Sequence, residues 1–344
     1  MSSIVVPIAE VRSIIVTMMN TRLRFLRYLL VSAIQYSTRY IKNCIKFSIG
    51  IKTSYTLRET FFQKNFFRLF RGPLRITCYR DKEEGPGSQC LMTMAAIAFA
   101  RSSGMQYVHT PFTEISHADR PMNEWVEIWE ANFNLGVGEV QATDVSAQVF
   151  NFGNNFWLFW TREIVDNYDL IISDFRRKYY LNKVQRPRSV LTVAVHIRRG
   201  DVTCDNVLWT DSEVYRKIIN TLKQIFVDNH LNYRIYIFSQ GNTLDFVELM
   251  FPSDVQLMLD TDPILTMQEL VEADVLVMAK STFSYVAAVL SKGVKIYEPF
   301  GCPPQRDWII RSPDGNFPVK EFEQQLNSLS ISEVSGPSDL APLN

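Results

Sequence analysis

The sequence predicts an α/β protein built on a parallel sheet covered on both faces. Three observations carry that expectation. Residues 189–195 (SVLTVAV) form an unbroken apolar run rich in β-branched side chains, typical of a strand buried on both faces. From there to residue 297, short apolar runs alternate with segments of helical period, the β, α, β, α order that builds a parallel sheet. Residues 74–110 repeat the theme as strand, glycine-bearing loop, helix and strand, which is one βαβ unit.

Taken in order, residues 74–79 (LRITCY) read as a strand and residues 81–89 (DKEEGPGSQ) as a loop. Residues 89–103, rich in Met and Ala, read as a helix that Gly104 ends, and residues 107–110 (YVHT) as a second strand. The aromatic stretch 125–180 is less regular and reads as mostly helical. After the strand at 189–195 comes a helix over 210–229, with Thr210 and Glu213 at capping-box spacing and Val214, Ile218, Leu222 and Ile225 on its apolar face. Strands follow at 233–239 and 255–259, a short helix at 267–273 and a strand at 274–278. A helix over 283–292 is closed by Gly293, and 294–297 is the last strand. Residues 328–344, rich in Ser and Pro, read as a disordered tail.

The 344 residues carry no net charge, which removes the basic footprint of a general nucleic-acid binder, so no nucleic-acid partner is expected. That zero hides a split. Residues 1–75 hold 13 Lys/Arg against two acidic residues, and the rest holds 23 against 34. Residues 1–72 therefore read as a basic, amphipathic extension in front of an acidic body. Its apolar stretches at 14–19 and 25–34 are broken by Arg22, Arg24 and Arg27, which favours helices lying on an anionic membrane surface over a spanning anchor. Surface helices packed on the body and a degenerate targeting peptide are the other readings. Five cysteines without CxxC spacing fit neither a disulfide framework nor a zinc site and point to a reducing compartment. The expected location is cytoplasmic or at the membrane periphery, with the Golgi open for a eukaryotic chain.

Ligands of open α/β sheets sit outside the carboxyl ends of the strands, and three loops there are unusual. His196-Ile197-Arg198-Arg199-Gly200-Asp201 follows the buried strand. Adjacent arginines are costly there unless an anion meets them, and a guanidinium fork matches a phosphate. Gly200 permits a sharp turn or a close approach. A salt bridge to carboxylates elsewhere in the fold is the alternative for the two arginines. Ser281-Thr282-Phe283-Ser284 lies at a strand-to-helix junction, where free N–H groups and hydroxyls suit a phosphate or, more simply, cap the helix. Gly85-Pro86-Gly87-Ser88-Gln89 is a third such loop, without the P-loop or dinucleotide pattern. Asp260 and Asp262 have the spacing of a cation pair, but the arginines offer a metal-free way to neutralise a diphosphate, and no metal is expected.

Together and in this order the three loops resemble the fucosyltransferase superfamily, namely the α1,2- and α1,6-fucosyltransferases and, more distantly, the protein O-fucosyltransferases. His196 to Asp201 is similar to the HxRRGD signature of the α1,2 group. Ser281 to Ser284, with Ala287, Leu290 and Pro299, is similar to its NSTFSxWxA…L…P motif, and Gly85 to Gln89 to its GxGNQ loop. The resemblance covers residues 74–300. It implies two Rossmann-like domains facing across a cleft (GT-B-like), placed on the sequence at 73–185 for the acceptor and 186–327 for the nucleotide sugar. It also implies an inverting, metal-independent transfer of fucose from GDP-fucose to a glycan hydroxyl, with no cofactor beyond the donor. By carry-over Arg198 or Arg199, with Arg198 preferred, contacts the donor β-phosphate. His196 holds the nucleotide, and Ser281, Thr282 and Ser284 meet the diphosphate. Ser88 and Lys280 stand where the group has Asn, and Tyr285 and Val286 where it has Trp. Thr266 replaces the carboxylate that reads guanine in the α1,6 group, with Asp262 nearby. Asp201 and Asp205 are the nearest candidates for the base that takes the acceptor proton, or they orient the arginines. Gly87, Ser88 and Gln89 belong to the acceptor-facing side. A transferase of another nucleotide sugar and a non-catalytic membrane-associated binding protein are the alternatives.

Overall fold

A computed structural model describes residues 75–78, 84–102, 105–145, 149–151, 164–184, 190–249 and 254–332. The basic extension 1–72 lies outside them, as do residues 333–344. The chain divides into two compact units. One takes in Met1–Cys78, Ala96–Thr110 and Glu139–Phe152, and the other Tyr79–Ala95, Pro111–Gly138 and Gly153–Asn344.

The first unit holds a four-stranded, wholly parallel sheet. β1 (Arg75–Thr77) pairs with β2 (Gln106–His109) on one side and β4 (Phe150–Asn151) on the other, and β2 pairs with β3 (Val140–Gln141). Helix α1 (Pro86–Ser102) is divided between the units. It has no charged residue before Arg101, and Met94 to Ala98 are fully buried, as an all-apolar helix must be.

The second unit holds a six-stranded parallel sheet in the order β10-β9-β8-β5-β6-β7. Its strands are β5 (Leu191–His196), β6 (Tyr233–Ser239), β7 (Val255–Leu259), β8 (Val275–Val277), β9 (Val294–Tyr297) and β10 (Ile309–Ile310). Its helices are α2 (Met122–Phe133), α3 (Tyr168–Tyr179), α4 (Ser212–Asp228), α5 (Pro263–Glu272), α6 (Thr282–Leu290) and α7 (Val319–Ser332). The Ile218, Ile219 and Leu222 face of α4 packs with Val193, Val195, Ile235 and Ile237 of the central strands, all of them fully buried. The two parallel, Rossmann-like sheets expected of the sequence are therefore present. None of the helices among the described residues is long and apolar enough to cross a membrane.

Chain order in the second sheet has one reversal. From β5 the chain runs outward through β6 to β7, then returns to place β8 on the other side of β5 and continues to β9 and β10. The carboxyl ends of β5 and β8 therefore flank the topological switch point, where a doubly wound sheet opens a crevice.

Three local expectations are corrected. Thr210 and Glu213 form no capping box. Asp211 holds the N-cap position without a side-chain cap, Thr210 gives its carbonyl to Arg199, and Glu213 pairs with Arg216 at 2.6 Å. The helix expected at 267–273 begins earlier, because the Asp262 carboxylate accepts from the amides of Ile264 and Leu265 and caps α5. Residues 328–332, read as the start of a tail, are the end of α7, which buries Phe322 and Leu326.

Candidate active site

Two of the loops flank the switch point directly. His196 ends β5, and its Nδ1 lies 2.6 Å from Oγ of Ser284 in the first turn of α6, so the loops after β5 and β8 are hydrogen-bonded to each other. Ser284 is fully buried and also donates to the Ala279 carbonyl at 3.4 Å. Phe283 packs its ring 5.6 Å from His196 and 6.2 Å from the buried Trp129. Ser281 caps α6 by accepting from the Phe283 amide at 3.2 Å, while Thr282, half-buried, opens the helix.

The glycine loop joins them. A Cβ on Gly87 would lie 2.7 Å from both the backbone nitrogen and the Cα of Phe283, so the starts of α1 and α6 touch backbone to backbone. Two helix N-termini, each with orphan amides and partial positive charge, thus meet beside the switch point. Ser88 is half-buried at this junction. Gln89 is buried and committed to structure, donating to the Glu84 carbonyl at 2.9 Å and to the Glu114 carbonyl at 2.7 Å.

The two arginines part company. Arg199 is 7% exposed. It donates to the carbonyls of Arg198 (2.9 Å) and Thr210 (3.0 Å) and stacks 3.6 Å over the ring of Trp209. It braces the loop from inside. Arg198 is half-buried and makes a two-point contact with Asp201, from Nε to Oδ1 at 3.2 Å and from Nη2 to Oδ2 at 2.6 Å. Gly200 lets the loop fold back on itself, with φ of 81°, and a side chain there would strike Gln240.

Both aspartates are stabilised as anions. The hydrogen bond from Arg198 holds the Asp201 carboxyl below the usual carboxylate range, with a further contribution from His117. Asp205 is exposed, bonded within its own turn to Thr203, and is lowered by that hydroxyl. A carboxylate stabilised as the anion is a weak proton acceptor. Asp201 instead orients Arg198. Asp262 is also committed, to the cap of α5 and to Nη2 of Arg120 at 3.0 Å.

His196 is neutral at physiological pH. Burial first, then the charge on Arg198, pushes it down to about 4, against a smaller pull from Asp201. Its contribution is a hydrogen bond and not a charge. Between its ordinary value of 6.5 and about 4, the unfolded chain binds a proton that the folded chain refuses. Stability should therefore be lost as pH falls through that window, by on the order of 2–3 kcal/mol. His196→Gln should lose less on going from neutral pH to about 4.5 in urea titrations; a variant as acid-sensitive as the parent would contradict the buried neutral imidazole.

Charged residues to which the sequence reading gave no role lie around this core. Lys280, beside the cap of α6, has its Nζ 3.4 Å from Oε1 of Glu298, whose Oε2 is 2.6 Å from Nη2 of the buried Arg311. Glu298 and Arg311 each stand directly after a strand, β9 and β10. The first was legible from the strand at 294–297 and the second was not, since β10 is two residues long. Among the described residues no group of three or more His, Cys, Asp or Glu could hold a metal ion.

No family model and no curated protein matches the sequence. Among solved structures, the chain is similar to the E. coli heptosyltransferase WaaC with ADP, at 10% identity and a TM-score of 0.39 over 76% of this chain and 99% of that one. It is also similar to the fucosyltransferase NodZ from Bradyrhizobium, at 14% identity and a TM-score of 0.34 over 64% and 93%. TibC, an iron-containing dodecameric glycosyltransferase from enterotoxigenic E. coli, is similar at 12% identity and a TM-score of 0.36 over 65% and 57%. Likenesses this distant carry no argument for activity.

Proposed function

We propose that the chain is an inverting glycosyltransferase that takes a sugar from a nucleoside diphosphate. The observation that carries the reading is the joining of the β5 and β8 loops at the switch point, through His196 and Ser284, with the starts of α1 and α6 in contact beside them. A switch point flanked by two helix N-termini suits an anionic nucleotide. In this reading Arg198, held by Asp201, neutralises the charge that develops on the departing diphosphate. Ser281 and Thr282 lie at the N-terminus of α6, which offers amides to the same oxygens. His196 donates or accepts a hydrogen bond without adding charge.

The similarity of His196–Asp201 and Ser281–Ser284 to the fucosyltransferase motifs favours GDP-fucose as the donor and a glycan hydroxyl as the acceptor. One observation favours a second reading, a different nucleotide sugar on the same scaffold. The carboxylate of Asp262, nearest the place where the α1,6 group reads guanine, is already taken by Arg120 and the cap of α5. The membrane contact of residues 1–72 is a separate proposal, tested by co-sedimentation of the full chain with anionic liposomes.

Thermal-shift screening with GDP, UDP, ADP and their sugars tests the donor, because a ligand of the folded state raises the melting point by mass action. Stabilisation by GDP and GDP-fucose above the others is expected. Preference for another base would select the second reading, and no response to any diphosphate would contradict both.

A further inference from the structure

We infer that Lys280 is a second cation of the donor site and holds the diphosphate together with Arg198. The inference rests on the glycosyltransferase reading and deepens it by naming a further residue that touches the donor. Lys280 lies between β8 and Ser281, the N-cap of α6. Arg198 lies two residues beyond the end of β5. Their loops are joined by the 2.6 Å contact of His196 with Ser284, and both belong to the second unit. The two cations therefore come from the two strands that flank the switch point.

The charge balance around Lys280 is what points to an anion. Glu298 follows β9 and Arg311 follows β10, so these side chains and Lys280 stand at the carboxyl edge of three neighbouring strands. Nζ of Lys280 lies 3.4 Å from Oε1 of Glu298, and Nη2 of Arg311 lies 2.6 Å from Oε2. Two cations thus share one carboxylate. All three side chains are withdrawn from water, with Lys280 12%, Glu298 10% and Arg311 0% exposed. Among the described residues neither cation has a second acidic partner.

Glu298 is spent on the closer of the two. Arg311 is fixed in turn, donating from Nη1 to the Ser312 carbonyl at 3.2 Å and standing 5.9 Å from the ring of Tyr215 in the first turn of α4. Thr210, just before that helix, is where Arg199 braces the Arg198 loop, so the charged group packs against the segment that holds the other cation. Lys280 is left with one long ion pair and, among the described residues, no hydrogen bond. Its ammonium carries three donors. A surplus positive charge kept from water is costly unless an anion meets it. The N-terminus of α6 beside it adds partial positive charge and offsets nothing. A diphosphate supplies the missing negative charge, with lysine serving it as a point charge and Arg198 as a fork.

The test uses the full chain and whichever of GDP, UDP or ADP stabilises it most, beside the matching nucleoside. Lys280→Met removes the charge and keeps the length of the side chain, and Lys280→Gln removes the charge and keeps a donor for Glu298. Without ligand both should melt at or above the parent temperature, because each leaves Glu298 balanced by Arg311 alone. Both should bind the diphosphate about tenfold more weakly and the nucleoside unchanged, the scale of one lost hydrogen bond to a charged group. A role confined to the fold predicts the opposite, a lower melting temperature with diphosphate and nucleoside affinities falling together. That result, or parental diphosphate affinity in either variant, overturns the inference while leaving the donor reading intact. A parent chain that binds no nucleoside diphosphate overturns the reading, and this inference with it.

Discussion

Replacing Arg198 by alanine should leave the protein folded and lower glycosyl transfer by about a hundredfold to a thousandfold, the scale of losing one preorganised donor to a developing anion. Folding should survive because the Arg198–Asp201 pair is partly exposed, with 27% and 36% of the two side chains open to solvent. Pairs of this kind contribute about 0–1 kcal/mol to stability. The loop itself is braced by Arg199 on the Thr210 carbonyl and on Trp209, which the substitution leaves in place. Arg198→Lys should recover little activity. Asp201 orients the guanidinium through two nitrogens, Nε and Nη2, and a lysine ammonium offers one point charge without that fork. Steady-state kinetics with melting curves for both variants check this. Near-parental turnover in the lysine variant would mean that the guanidinium fork has no part in the chemistry.

Gly87→Ala should damage both fold and site. The added methyl would sit 2.7 Å from the nitrogen and Cα of Phe283 and 2.9 Å from the carbonyl carbon of Thr282, all backbone atoms that cannot rotate away. Either α1 or α6 must shift, at a cost of about 1–3 kcal/mol for overpacking. A shift of α6 carries Ser284 away from His196 and opens the joint between the β5 and β8 loops. Loss of melting temperature and of nucleotide binding should therefore appear together. Gly85→Ala is the steric control. Its methyl would meet His117 and Ser116 at 3.6 and 3.8 Å, ordinary contact distances, so the melting temperature should hold. Equal destabilisation by the two substitutions would contradict the close approach at Gly87.

Much of the second sheet was legible in the sequence. The strands read at 233–239, 255–259 and 294–297 coincide with β6, β7 and β9, because each is an apolar, β-branched or aromatic run bounded by turn residues. β3, β4 and β10 were not legible, since two residues set no period. α7 left a signal in the spacing of Phe322, Leu326 and Leu329, but Ser328, Ser330 and Ser332 gave that end the look of a tail. In the candidate site, the motifs singled out Arg198, His196 and Ser284. They could not separate Arg198 from Arg199, because what distinguishes the two is Trp209 and the Thr210 carbonyl, which fold back only in three dimensions.

The most direct test of the account is a titration of the parent and of Arg198→Ala with whichever of GDP, UDP or ADP stabilises the protein most, beside the matching nucleoside. The account predicts that the parent binds the diphosphate at least tenfold tighter than the nucleoside, and that the alanine variant loses most of that difference while binding the nucleoside unchanged. Equal diphosphate affinity in the two proteins would contradict the claim that Arg198 holds the departing pyrophosphate.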